Sequence, residues 1–103
     1  MRNYEFVFIV HPDLDENAFN EICERIKGWI NDLGGTIVSE DKWGKRRMAY
    51  PIRKQREGQY MLYNIQLDPE KITELEHNMQ LVESIMRYLT IKVEEDQPTL
   101  EAE

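Results

Sequence analysis

The sequence predicts an α+β sandwich in which a four-stranded antiparallel sheet carries two helices on one face. Three observations lead there. Apolar residues alternate at period two in several stretches, they recur at steps of three and four in two others, and turn-forming pairs stand between. A chain of 103 residues with 41% hydrophobic content supports one domain around a single two-layer core.

In residues 3–10, Tyr4, Phe6, Phe8 and Val10 alternate with Glu5, Val7 and Ile9, which predicts a first strand covered at least partly on both faces. His11-Pro12 ends it. Asp15 is a plausible N-cap, with Asp13 and Glu16 placed to favour a helix start. Phe19, Ile22, Cys23, Ile26, Ile30 and Leu33 then mark one face of a helix, and Gly34-Gly35 supplies a left-handed stop. Alternation resumes at Thr36-Ile37-Val38, predicting a second strand over residues 36–41 that runs into a basic stretch. Pro51 has no N–H for a ladder, so the chain there is at a sheet edge or leaving the sheet. After Gly58, residues 60–67 (YMLYNIQL) read as the hairpin return. Asp68-Pro69 is a cap and first-turn pair, Ile72, Leu75 and Met79 form a second helical stripe ending near Leu81 or Val82, and residues 85–93 close the domain as a strand.

The order β-α-β-β-α-β is that of the ferredoxin-like sandwich. Right-handed crossovers place both helices on one side of the sheet, with spatial strand order 4-1-3-2. Phe6, Phe8, Tyr63, Ile65 and Leu67 then face the helices. The opposite face shows Glu5, Val7, Ile9, Tyr60, Leu62, Asn64 and Gln66, too apolar for plain solvent surface and a candidate docking platform. Residues 1–93 form this domain. Residues 94–103 (EEDQPTLEAE) have five acids, no base and little to pack, which predicts a disordered acidic tail. The formal charge is −7, but without the tail fifteen acids face thirteen bases, a balance of about −2.

The distribution of charge says more than its sum. Residues 42–56 (KWGKRRMAYPIRKQR) gather Lys42, Lys45, Arg46, Arg47, Arg53, Lys54 and Arg56 without a single acid. Glu40, Asp41 and Glu57 only flank the run. Cations concentrated on a projecting hairpin can neutralise phosphates and release counterions, and a narrow basic arm suits A-form RNA, which is read largely by shape and backbone. The bland alternative is a solvated face, or edge charges that oppose aggregation. The absence of any acid favours a polyanion partner.

The GKRRMAYPI stretch at residues 44–52, followed by Lys54, Gly58 and Tyr60, closely resembles the family of protein number six of the bacterial small ribosomal subunit. The opening MRNYE, the Gly34-Gly35 break and the element order match as well, so the resemblance covers roughly residues 1–93. Met48 stands where the family more often has Leu, a volume-conserving exchange. The resemblance implies a structural, non-enzymatic protein of the ribosome that is cytoplasmic and monomeric off the ribosome. It implies binding to the central domain of 16S rRNA together with the eighteenth protein of that subunit. Candidate RNA-binding residues are Lys45, Arg46, Arg47, Arg53, Lys54 and Arg56, with Arg2 and Arg87 near strand ends extending the basic surface. Candidate partner-binding residues are Met48, Tyr50, Tyr60 and Leu62. Trp43 reads as packing at the hairpin's root, and Tyr50 is divided between packing and partner contact.

Other chemistries find little support. His11 and His77 are isolated, Cys23 lies on the apolar stripe of the first helix, and Asp13-Leu14-Asp15 is more economically a helix cap than a calcium loop, so no metal, cofactor or catalytic residue is expected. A small-ligand module that dimerises through its open face would need a pocket or Gly-rich turn. An acylphosphatase-like enzyme would need an Arg cradle where HPDLDEN carries acids. The lone cysteine fits a reducing compartment, and neither a secretory signal nor an apolar stretch of about 20 residues is evident, so no membrane is expected.

Overall fold

The structure is a computed structural model that describes residues 1–93; the tail expected over residues 94–103 lies outside the described residues. Its elements are β1 (Arg2–Val10), α1 (Glu16–Asp32), β2 (Thr36–Ile52), β3 (Gln55–Leu67), a 3-10 turn (Pro69–Lys71), α2 (Ile72–Gln80) and β4 (Ile85–Val93). The strands form one sheet in the order β2-β3-β1-β4, with every neighbouring pair antiparallel. This is the expected order read from the other edge.

Register explains the core. Phe6 lies opposite Tyr63, Phe8 opposite Met61 and Tyr4 opposite Ile65, so one parity of β1 and β3 faces the helices. Those residues are buried against Phe19, Ile22, Cys23, Ile26 and Ile30 of α1 and Leu75 and Met79 of α2. The rings of Phe8 and Tyr63 meet edge to face, 5.4 Å between centroids at 72°, which adds a directional contact to the burial. The Tyr63 hydroxyl finds no well-formed partner among the described residues, since the Cys23 thiol beside it is a weak donor and acceptor.

Helix ends follow their caps. An Asp15 carboxylate oxygen accepts from the Ala18 amide at 2.8 Å. At the other end Gly34, at φ 85°, donates to the Asn31 carbonyl at 3.0 Å and Gly35 donates to the Ile30 carbonyl at 2.9 Å. Together these form a Schellman motif that needs the left-handed conformation at residue 34. Lys27 of α1 meets Glu40 of β2 at 2.7 Å, tying the helix to the edge strand; that bond raises the lysine pKa. Asp68 caps the 3-10 turn rather than α2 itself, accepting from the Glu70 amide at 3.2 Å, so α2 begins only at Ile72.

The main difference from expectation is the length of the hairpin. The ladder does not fade near Asp41: it runs through Arg46 opposite Gly58 and Arg47 opposite Glu57 to Ile52 opposite Gln55. Because β2 is an edge strand, Pro51 costs no ladder bond on its outer side, and it falls where the register slips between Arg47 and Ile52. The turn is two residues long, Arg53 and Lys54, both left-handed at φ 51° and 68°. That geometry belongs to a type I′ hairpin, whose usual signal is Asn-Gly, so the sequence gives no turn signal here.

Lys54→Gly relieves a left-handed side chain and should raise the urea midpoint, by roughly 0.5–1 kcal/mol of stability after glycine's entropy cost is included; a lower midpoint would contradict the turn. Burial also raises the Cys23 pKa, so less thiolate exists at any given pH than for a free thiol. The native protein should therefore react with an aromatic disulfide reagent far more slowly than the urea-unfolded chain. Equal rates would contradict the packing of α1.

Candidate nucleic-acid and partner interface

The long hairpin distributes its cations by strand parity. Lys45 lies opposite Gln59 and Arg47 opposite Glu57, in the parity of Met61 on the helix side. Gln59 confirms that side, because its amide donates to the carbonyls of His11 and Leu14, both at 3.0 Å. Lys45, Arg47 and Arg56 line an open cleft together with Gln55 and Glu57 of the hairpin and Pro12 and Asp13 of the β1–α1 connection. Arg46, opposite Gly58, belongs to the other side. There its guanidinium lies 5.3 Å from the ring centre of Trp43, which stacks on Tyr60 with centroids 6.0 Å apart at 21°. The Trp43 indole N–H donates to Asp41 at 3.0 Å. Trp43 therefore packs at the hairpin's root, as its position suggested.

Among the described residues, ion pairs draw on Lys27, Lys42 and His11, and none involves Lys45, Arg46, Arg47, Arg53, Lys54 or Arg56. Even Glu57, in register with Arg47, makes no ion pair with it. None of these six cations is held in an ion pair by the carboxylates of residues 1–93, and Asp13 and Glu57 are the acids that share their cleft.

Three arginines have internal partners of another kind: besides its contact with the Trp43 ring, Arg46 donates to the Trp43 carbonyl of its own strand at 3.5 Å. Arg53 donates to the Glu83 carbonyl at 2.6 Å and, more weakly, to the Ile85 carbonyl at 3.5 Å. Arg87 donates to the Tyr50 hydroxyl at 3.0 Å and sits 5.8 Å from that ring's centre. Arg2 is paired with Leu67, at the end of the sheet opposite the hairpin, and so is not brought into the basic cluster.

The partner-binding candidates divide by burial. Tyr50 is 58% exposed, Tyr60 and Leu62 are half-buried, and Met48 is only 8% exposed, packed with Ile9 and Met86. Met48 therefore supports the open face from within. Gly58 allows this close approach, since a β-carbon there would overlap the Ile9 side chain. Leu89, opposite Val7 and 56% exposed, joins the same open face. It was missed because the alternation of the last strand has no face until its register with β1 is known. The carbonyls that Arg53 reaches carried no sequence signal, lying thirty or more positions away.

Among the described residues no group of three or more His, Cys, Asp or Glu side chains is placed to hold a metal ion, and no helix is long and apolar enough to cross a membrane.

The family model for ribosomal protein S6 matches residues 3–92. The chain belongs to the ribosomal protein S6 family. It is 42% identical over 96 residues to small ribosomal subunit protein bS6 of Moorella thermoacetica, covering 93% of this chain and 98% of that one. It is 43% identical over 94 residues to bS6 of Clostridium novyi, covering 91% and 99%. Its structure matches the crystal structure of 30S ribosomal protein S6 from Thermotoga maritima with a TM-score of 0.85 at 31% identity, covering 89% of this chain and 87% of the other. S6 proteins are structural, non-enzymatic constituents of the small ribosomal subunit, and this chain is one of them.

If Met48 acts through packing, Met48→Leu should cost less than about 1.5 kcal/mol, while Met48→Ala should cost about 2 kcal/mol in urea unfolding of the free protein. An alanine variant as stable as the parent would return Met48 to a purely external role.

Proposed function

We propose that this S6-family chain binds the central domain of 16S rRNA through its basic hairpin while its open sheet face docks the eighteenth protein of the small subunit. The observation that carries the reading is the run of cations on a ribbon extending past β1, without a carboxylate partner among the described residues. Lys45, Arg46, Arg47, Lys54 and Arg56 supply the charge, and arginine adds a planar fork suited to pairs of phosphate oxygens. In the cleft that Lys45, Arg47 and Arg56 share with Asp13 and Glu57, three cations outnumber two carboxylates and can meet one reach of the phosphate backbone, and Arg46 and Lys54 extend the contact around the ribbon. Val7, Tyr60, Leu62, Tyr50 and Leu89 offer the partner an apolar face with hydroxyls at its rim. Arg2, at the other end of the sheet, would add a separate, weaker contact. The protein works in the cytoplasm and is monomeric off the ribosome.

Affinity for a central-domain RNA fragment, measured with the partner protein present, should fall with salt. Five engaged cations imply a log–log slope of about −3.5 to −4.5. Reversing Arg46, Arg47 and Lys54 to Glu should abolish binding while leaving the circular dichroism spectrum unchanged. Undiminished binding by a folded triple variant would remove the proposal.

A further inference from the structure

Register shows that the hairpin lacks backbone support where it carries most charge. β1 ends at Val10 opposite Gln59, so residues 55–58 of β3, the turn and the end of β2 extend past the last β1 rung. A two-stranded ribbon alone is marginally stable in water. Yet this one turns through two consecutive left-handed residues that are neither Gly nor Asn, a conformation that persists only where the surroundings over-determine it.

Two contacts supply that constraint, and both end in or beside β4, on the far side of β1. Arg53, in the turn, forks to the Glu83 and Ile85 carbonyls that lead into β4. Arg87, on β4, reaches back to the hydroxyl and ring face of Tyr50. Met48, Ile9 and Met86 fill the space between. The hairpin is therefore fastened across the open face to the opposite edge strand at two points.

We propose that Arg53 and Arg87 are positioning residues that latch the hairpin to β4, holding Lys45, Arg46, Arg47, Lys54 and Arg56 at a fixed spacing, and that they make no phosphate contact themselves. This rests on the RNA-binding reading and divides the basic set by role. A latched ribbon presents its cations pre-ordered, so less freedom is lost when RNA binds.

Hydrogen exchange and salt-dependent binding separate the roles. In the free protein, Arg53→Gln and Tyr50→Phe, which removes only the acceptor for Arg87, should speed amide exchange over residues 48–58 about tenfold while leaving β1 protected. With RNA and partner protein, Arg53→Gln should bind about tenfold more weakly at an unchanged salt slope. Arg53→Lys should resemble it, since lysine keeps the charge but cannot fork to two carbonyls. As a control, Arg47→Gln should reduce the magnitude of the slope by about 0.7–0.9. The latch is overturned if hairpin exchange is unchanged, or if Arg53→Gln lowers the slope as the control does and Arg53→Lys restores it. If instead Arg47→Gln leaves the slope untouched, the RNA-binding reading fails, while the exchange result still decides the latch.

Discussion

The hydrogen-bonded ladder between β2 and β3 continues past the last rung of β1, and the rest of the molecule's surface chemistry depends on that continuation. A ladder that stopped with the sheet would leave the basic residues in a loose loop, free to fold back on the acids of the helical layer. Because the backbone groups pair instead, the ribbon is held out and its side chains are sorted to two sides by strand parity. One side turns Lys45 and Arg47 toward a cleft with the β1–α1 connection. The other carries Arg46 with its aromatic stack.

An edge this long invites pairing with another chain, and its composition opposes that. Arg46 and Arg47 put charge on the unpaired edge strand, one on each face, Pro51 removes a donor, and register slips break the flat template. The same cations that suit a polyanion therefore also keep the free protein from pairing edge to edge. Binding chemistry and protection from self-association are two consequences of one charge distribution.

Beneath this surface the core is ordinary and tight. The aromatic residues of β1 and β3 meet the aliphatic stripe of α1, and Lys27 with Glu40 fastens the helix to the edge strand. The open face is more specialised. Near the hairpin it is closed by Met48 packed with Ile9 and Met86, with Ile52 and Tyr60 against them. Toward the middle of the sheet Val7, Leu62 and Leu89 remain partly or fully open. A platform with one sealed end and one accessible part suits a docking surface better than a uniformly bare sheet would.

The element order, the core stripes, both α1 caps and the acid-free run were legible because each rests on local rules: period, capping chemistry and nearest-neighbour charge. The helical face of Phe19, Ile22, Cys23, Ile26 and Ile30 was readable residue by residue. The span of the hairpin was not, because Arg-Lys at the turn is poor turn chemistry and is tolerated only where distant contacts hold it. Nor could local rules find that Met48 is buried, that Arg53 bonds to carbonyls near β4, that Arg87 meets Tyr50, or that Arg2 lies far from the other cations. Periodicity and composition settle what each segment is, since those are properties of neighbours along the chain. Which charges point outward and which are engaged is decided by sheet order and register, which bring together residues that no sequence rule relates.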